Sequence, residues 1–159
     1  MVAKIISARL GTEKVRLEAE FRQYHVKSCV LDNILDDRLA REIYQAFPSE
    51  SDMKLRKSLR ERKYVSANMD RHNTLLKEIT FAFQDPTVVR LLAEITGLKS
   101  ITADSHLYAG GVSLMGGGHF LGPHLDNSHD KDRENYRVLN LLYYVTPDWK
   151  EEYGGNLEL

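Results

Sequence analysis

The sequence predicts an α+β fold in which helices come first and a sheet-rich part follows. Two observations carry this expectation. Apolar residues recur at helical spacing in three segments before Gly97, whereas short alternating stretches replace those periods after it. Residues 98–159 also hold eight of the ten glycines, which permit tight turns and close backbone approach. Helices ahead of strands suggest a helical layer buttressing one face of a sandwich or barrel. At 159 residues and 18.3 kDa the chain suits a single domain with a real core. About residues 1–97 read as mainly helical support and about 98–159 as the first strands of the core.

Along the chain, residues 12–21 suggest a short helix, and Tyr24–Leu31 (YHVKSCVL) alternates as a strand does. Asp36 and Asp37 then precede LAREIYQAF, with Leu39, Ile43, Ala46 and Phe47 at helical spacing. The acidic start favours a helix N-terminus, and Pro48 closes the segment. Residues 49–63, rich in Arg and Lys, read as a solvated helical face or loop, because acidic residues lie nearby and no aromatics are interleaved. Residues 73–84 predict a helix with Leu75, Leu76, Ile79 and Phe83 inward. Asp85 reads as an N-cap, Pro86 as the first residue of another helix, and Gly97 as its C-terminal stop. Strands are expected near 100–109, 111–115, 119–125, 136–146 and 155–159.

Composition excludes several function classes. Lys plus Arg number 22 and Asp plus Glu 23, a balance that calls for neither nucleic acid nor an anionic membrane. No apolar run is long enough to span a bilayer, and the N-terminus lacks the pattern of a secretory signal. Cys29 is the sole cysteine, so no internal disulfide forms, and a reducing cytoplasm is the expected location. Its apolar-leaning surroundings predict a buried inert thiol.

The chemistry concentrates in Gly116–Asp126, GGGHFLGPHLD. Residues two apart in an extended segment share a face, so His124 and Asp126 should point together with Leu125 turned away. An imidazole and a carboxylate side by side supply two ligands of the facial arrangement that holds Fe(II) with positions left open. His119, five residues before His124, falls on the other face, and His129 reads as a solvent-exposed loop residue. Among the tyrosines Tyr143 and Tyr144 lie on opposite faces of their strand, and Trp149 reads as rim packing.

Downstream follow the loop NSHDKDRENY, then RVLNLLYY, then GGNLEL. With GGGHFLGPHLD, this ordered series resembles the prolyl-4-hydroxylase-like branch of the Fe(II)/2-oxoglutarate-dependent dioxygenases, over about residues 100–159. The resemblance implies helices packed on a partial double-stranded β-helix of jelly-roll type. It implies that His124 and Asp126 are metal ligands and catalytic residues, and that Asn140 lines the 2-oxoglutarate pocket. Arg137, Leu142 and Tyr144 match further positions of the same strand motif, and Gly154 and Gly155 the turn before the next strand. Tyr144 and Tyr108 are carried as cosubstrate candidates, because Met115 stands where the family often has a tyrosine nine residues before the first His. The implied cofactor is Fe(II) and the cosubstrate 2-oxoglutarate, with ascorbate as an accessory reductant. The implied reaction is hydroxylation of an aliphatic carbon, prolyl or other, on a peptide or small molecule, with O₂ consumed and no nucleic acid or membrane involved.

In the resembled family a second iron-binding His and a basic residue for the far carboxylate of 2-oxoglutarate lie beyond the G-G-x-L element. The expectation is therefore the front part of an oxygenase, with weak iron binding, an interior partly uncovered, and sheet edges open to self-association. Two alternatives follow: a non-catalytic or split fragment completed by another chain, and a metal-assisted hydrolase using His124, Asp126 and His129 around a zinc-bound water.

Overall fold

A computed structural model describes residues 1–108 and 110–158. It is α+β, with four helices and a small antiparallel sheet. Helix α1 spans Val2–Gln23, and its inner stripe is Val2, Ile6, Leu10 and Leu17, all buried. The stripe packs on α4 (Pro86–Thr96) and on α3 (Thr74–Ala82), whose buried residues are Val88 and Ile95, and Leu76, Ile79 and Ala82. Helix α2 (Asp37–Gln45) adds Leu39 and Ile43 to the same cluster. Burying an aliphatic side chain of this kind contributes about 1.5–3 kcal/mol. Lys14 of α1 reaches Glu94 of α4 at 2.6 Å, so a polar contact joins the two helices where they emerge from the apolar layer.

The helix ends follow local chemistry. Asp36 accepts a hydrogen bond from the Leu39 N–H, Asn73 from that of Leu75, and Asp85 from that of Thr87, each satisfying a donor left free in the first turn. Pro86 occupies the start of α4, where a missing N–H costs nothing, and Gly97 ends it at φ 70°.

The sheet has β2 (Glu61–Ser66) at its centre. Strand β1 (Lys54–Lys57) lies on one side of it, while β3 (Val112–Leu114) and β4 (Phe120–Leu121) share the other side end to end. Ser66 pairs with Val112, Tyr64 with Leu114, and Arg62 with Phe120. Val112 is buried and joins the helical core cluster, so the sheet is fastened to the helices at the β3 end.

Several expectations are corrected. The helix expected over 12–21 extends back to Val2, because the stripe of α1 continues through Leu10, Ile6 and Val2. Residues 24–31 form no strand. The Val30 N–H is taken by Glu20 at 3.0 Å and its carbonyl by Arg16 at 3.2 Å, so side chains of α1 supply what a neighbouring strand would. Residues 49–63 are neither helix nor loop throughout: after a 3-10 turn at Glu50–Asp52 they build β1, a turn and the start of β2. The turn is closed by the Ser58 hydroxyl, which accepts from the N–H groups of Arg60 and Glu61.

In 100–108 turns replace the expected strand, with Leu107 buried at φ 52° and its N–H bonded to the Asp104 carbonyl. Of 119–125 only Phe120–Leu121 pairs. Residues 136–146 make one isolated bridge, Tyr136 with His129, and 155–158 make none among the described residues; Leu159 lies outside them. The stretch 111–115 does supply β3. No described helix is long and apolar enough to cross a membrane.

Two substitutions test this packing. Ile6→Ala removes a fully buried side chain of the α1 stripe and should cost about 2–5 kcal/mol in denaturant unfolding. Gly111→Ala should disrupt the sheet itself. The residue sits at φ 107°, and an added Cβ would run into the Ser66 carbonyl and come within 2.9 Å of the Ala67 Cα. A melting temperature unchanged by Gly111→Ala would contradict the close approach of β2 and β3.

Candidate metal centre

Four glycines precede the site and shape its approach. The Gly116 carbonyl accepts the His119 N–H at 3.0 Å, and the Gly116 N–H donates to His119 Nδ1 at 3.0 Å, which folds this segment into a turn. The His119 ring lies 5.5 Å from that of Tyr64 on β2, so it is occupied with the sheet. Strand β4 follows, and after it the Gly122 N–H donates to the Arg60 carbonyl at 2.8 Å. That bond ties the chain immediately before His124 to β2.

The Gly122 carbonyl then holds His124 Nδ1 at 2.8 Å. A carbonyl oxygen only accepts, so Nδ1 carries a proton and Nε2 is the ring nitrogen left to face outward. Nε2 in turn faces Asp126 Oδ1 at 3.4 Å. A ring nitrogen and a carboxylate oxygen thus converge on one point, where a cation or a proton can lie between them. Both side chains stay accessible, at 36% and 44% relative exposure, so a ligand can reach the pair from outside.

Asp126 divides its two oxygens. While Oδ1 faces His124, Oδ2 accepts from Asn140 Nδ2 at 3.2 Å and lies 3.4 Å from an Arg137 guanidinium nitrogen. Arg137 also donates to Asn140 Oδ1 at 2.9 Å and to Asn127 Oδ1 at 3.0 Å. Asn140 is oriented by both bonds: its oxygen takes the arginine, so its nitrogen must turn to the carboxylate. A carboxylate with one oxygen held by outer partners and the other directed at an imidazole is the usual support of a metal ligand.

The distances fit a transition metal. Neighbouring ligands at ~2.1 Å from an octahedral ion lie about 3 Å apart, close to the 3.4 Å seen between Nε2 and Oδ1. The residues that would hold the ion are His124 and Asp126. Among the described residues no third His, Cys, Asp or Glu joins them.

The structure thus brings His124, Asp126 and Asn140 together. It does not bring Tyr108 or Tyr144 to them: Tyr108 is half exposed with its N–H bonded to Asp104, and the Tyr144 ring points to solvent. His129, the third ligand a hydrolase would require, bonds through Nδ1 to the Ser128 hydroxyl at 2.7 Å and packs its ring 4.4 Å from Tyr136. Sequence reasoning missed Arg137 and Asn127 as parts of the site. Residues 137 and 140 lie on opposite faces of a regular strand, so only the reach of the arginine side chain unites them with Asp126.

The loop between the two halves of the site is built rather than merely solvated. The Arg137 N–H donates to the Ser128 carbonyl and the Asp130 N–H to that of Asn135, so residues 128–137 double back and deliver Arg137 to Asp126. Asp130 closes the tip by accepting from the Glu134 N–H and the Asn135 side chain.

Residues 110–159 match the family model described as the 2OG-Fe(II) oxygenase superfamily. The matched span contains His124, Asp126, Arg137 and Asn140, and the superfamily implies Fe(II) and 2-oxoglutarate. No curated protein and no solved structure matches the chain.

The Asp130 closure has a testable pH dependence. The Asn135 side chain, followed by backbone N–H groups of the loop, holds the Asp130 carboxyl below its ordinary value of 3.8. A depressed value means that the charged form favours the folded loop. Its contribution is therefore complete above 3.8 and is lost as pH falls through the lower, folded value. An NMR titration should find the Asp130 midpoint below 3.8, with the Glu134 and Asn135 amides shifting in step. A midpoint above that value would contradict the closure.

Proposed function

We propose that this protein acts as an Fe(II)- and 2-oxoglutarate-dependent dioxygenase that hydroxylates an aliphatic carbon, prolyl or other, of a peptide or small molecule. One observation carries the reading: His124 Nε2 and Asp126 Oδ1 converge at 3.4 Å while the other polar atom of each side chain is already engaged. The oxygenase match over residues 110–159 supports it independently of that geometry.

Bound at this pair, Fe(II) with 2-oxoglutarate supplies the chemistry that couples O₂ consumption and decarboxylation to succinate with C–H hydroxylation. The protein's own groups do the holding. The Gly122 carbonyl holds Nδ1 of His124, so Nε2 is the ring nitrogen left to face the metal position. Asn140 and Arg137 hold Asp126 Oδ2 and direct Oδ1 toward the same point. Asn140 stands beside the ligands, where a chelating cosubstrate would contact it.

The jelly-roll architecture belongs to this proposal as well. Within residues 137–145 Tyr143 and Val145 pack against the core, while Val138, Leu141, Leu142 and Tyr144 are exposed. So many exposed apolar residues in one stretch support a surface that a further layer would cover. Tyr144 and Tyr108 keep their candidacy as cosubstrate contacts from the sequence resemblance alone.

The test measures succinate formation from 2-oxoglutarate with Fe(II) and ascorbate, beside direct Fe(II) or Co(II) binding. His124→Ala should abolish both. Asn140→Ala should retain the fold and weaken metal affinity by about 10–100-fold, as loss of an outer-shell partner does. Full succinate formation by His124→Ala would refute the assignment.

A further inference from the structure

The hairpin of β1 and β2 carries a charge pattern that the metal centre does not use. Six basic residues fall within Lys54–Lys63: Lys54, Arg56, Lys57, Arg60, Arg62 and Lys63. Register places Arg56 directly opposite Lys63, and Lys57 directly opposite Arg62. Like charges across an antiparallel pair oppose its formation. Only Lys63 finds a carboxylate, Glu61 at 3.1 Å; none lies within ion-pair distance of the other five among the described residues.

We infer that the free edge of β1 is a docking strand for an extended acidic peptide, which adds to the sheet beside β1. Three features select this occupant. First, among the described residues β1 pairs only with β2, and all four of its residues are exposed. Ser58 N–H donates to the Glu61 carbonyl, and ladder bonds alternate, so Leu55 and Lys57 turn their N–H and C=O groups to the open side. A second peptide satisfies both kinds of group, whereas a phosphodiester offers acceptors alone.

Second, the cations occupy both faces, Lys54 and Arg56 on one and Lys57 with Arg62 on the other. An added strand presents successive side chains to alternate faces, so consecutive acidic residues would each meet a cation. Third, the ribbon is not free to enter a nucleic-acid groove, because β4 pairs at Arg62 and Gly122 bonds Arg60 beside the turn. A second copy of β1 is excluded as occupant by its own charge. Edge lysines also deter unwanted strand pairing, which accounts for cations on β1. That role does not account for Arg62 and Lys63 on the central strand, set against them.

This inference stands apart from the metal reading and survives its failure. The experiment uses fluorescence anisotropy with a labelled peptide of about eight residues carrying a run of consecutive Glu, long enough to cover a strand edge. A Gln-for-Glu peptide and a labelled oligothymidylate serve as comparisons. The acidic peptide should bind tightest, bind more weakly as NaCl rises, and slow amide exchange at Leu55 and Lys57. Arg56→Glu should weaken binding about tenfold or more while raising the melting temperature, since Lys63 would then face a carboxylate. Equal binding of the Gln peptide, tighter binding of the oligonucleotide, unchanged exchange at Leu55 and Lys57, or full binding by Arg56→Glu would each overturn the proposal.

Discussion

Gly122 is bonded in two directions, and the candidate centre depends on both bonds. Its N–H reaches back to Arg60 in the turn just before β2, while its carbonyl reaches forward to the ring of His124. One peptide unit on each side of this residue therefore converts the position of β2 into the orientation of an imidazole. A Cβ at Gly122 would sit 3.4 Å from the carbonyl it pairs with, at van der Waals contact. The chain of support then runs inward from β2 through Val112 of β3 to the helical cluster. A site built on a two-residue strand is thus held by a core formed elsewhere.

The electrostatic logic of the pair follows from that anchoring. Hydrogen bonding to a carbonyl removes the donor choice at Nδ1, and contacts with Asn140 and Arg137 remove the choice at Oδ2. What remains are Nε2 and Oδ1 facing each other at 3.4 Å. A proton or a metal ion between them makes that geometry attractive. Arg137 moderates the carboxylate charge from behind without entering the space in front. The 128–137 loop matters because it sets where that guanidinium lies, so a distant turn at Asp130 contributes to the shape of the centre.

Much of the helical layer was legible because its signals are local. Asp36 and Asp85 act one turn from the N–H groups they bind, and Gly97 adopts the left-handed conformation its type permits. The start of α1 is not marked locally, since the run MVAKIISARLG holds apolar residues on several sides and only packing against Val88 and Ile95 selects Val2, Ile6 and Leu10 as the inner stripe. The Tyr24–Leu31 segment alternates as a strand should, yet its Val30 bonds go to Glu20 and Arg16, a tertiary choice no periodicity encodes. Residues 54–63 concealed a hairpin because both of its faces are charged, and binary patterning needs one face to be apolar. At the centre, the two-residue spacing of His124 and Asp126 was readable, as was the nearness of Asn140 through family resemblance. The part played by Arg137 was not, because it depends on a loop closing over ten residues.

The segment 137–145 joins these strands of argument. Its inward residues Tyr143 and Val145 are fixed by the core, Tyr143 lying 5.5 Å from the Phe83 ring. Burial there also pushes the Tyr143 hydroxyl above its ordinary titration range, in keeping with a side chain chosen for packing. Three residues before Tyr143 the same segment carries Asn140, whose side chain donates to Asp126. Shifting this stretch along the core would remove Asn140 from Asp126 and Tyr143 from Phe83 together. Packing and site geometry are therefore a single constraint along this stretch. The helical core, remote from the chemistry, is what determines which side chain supports the carboxylate.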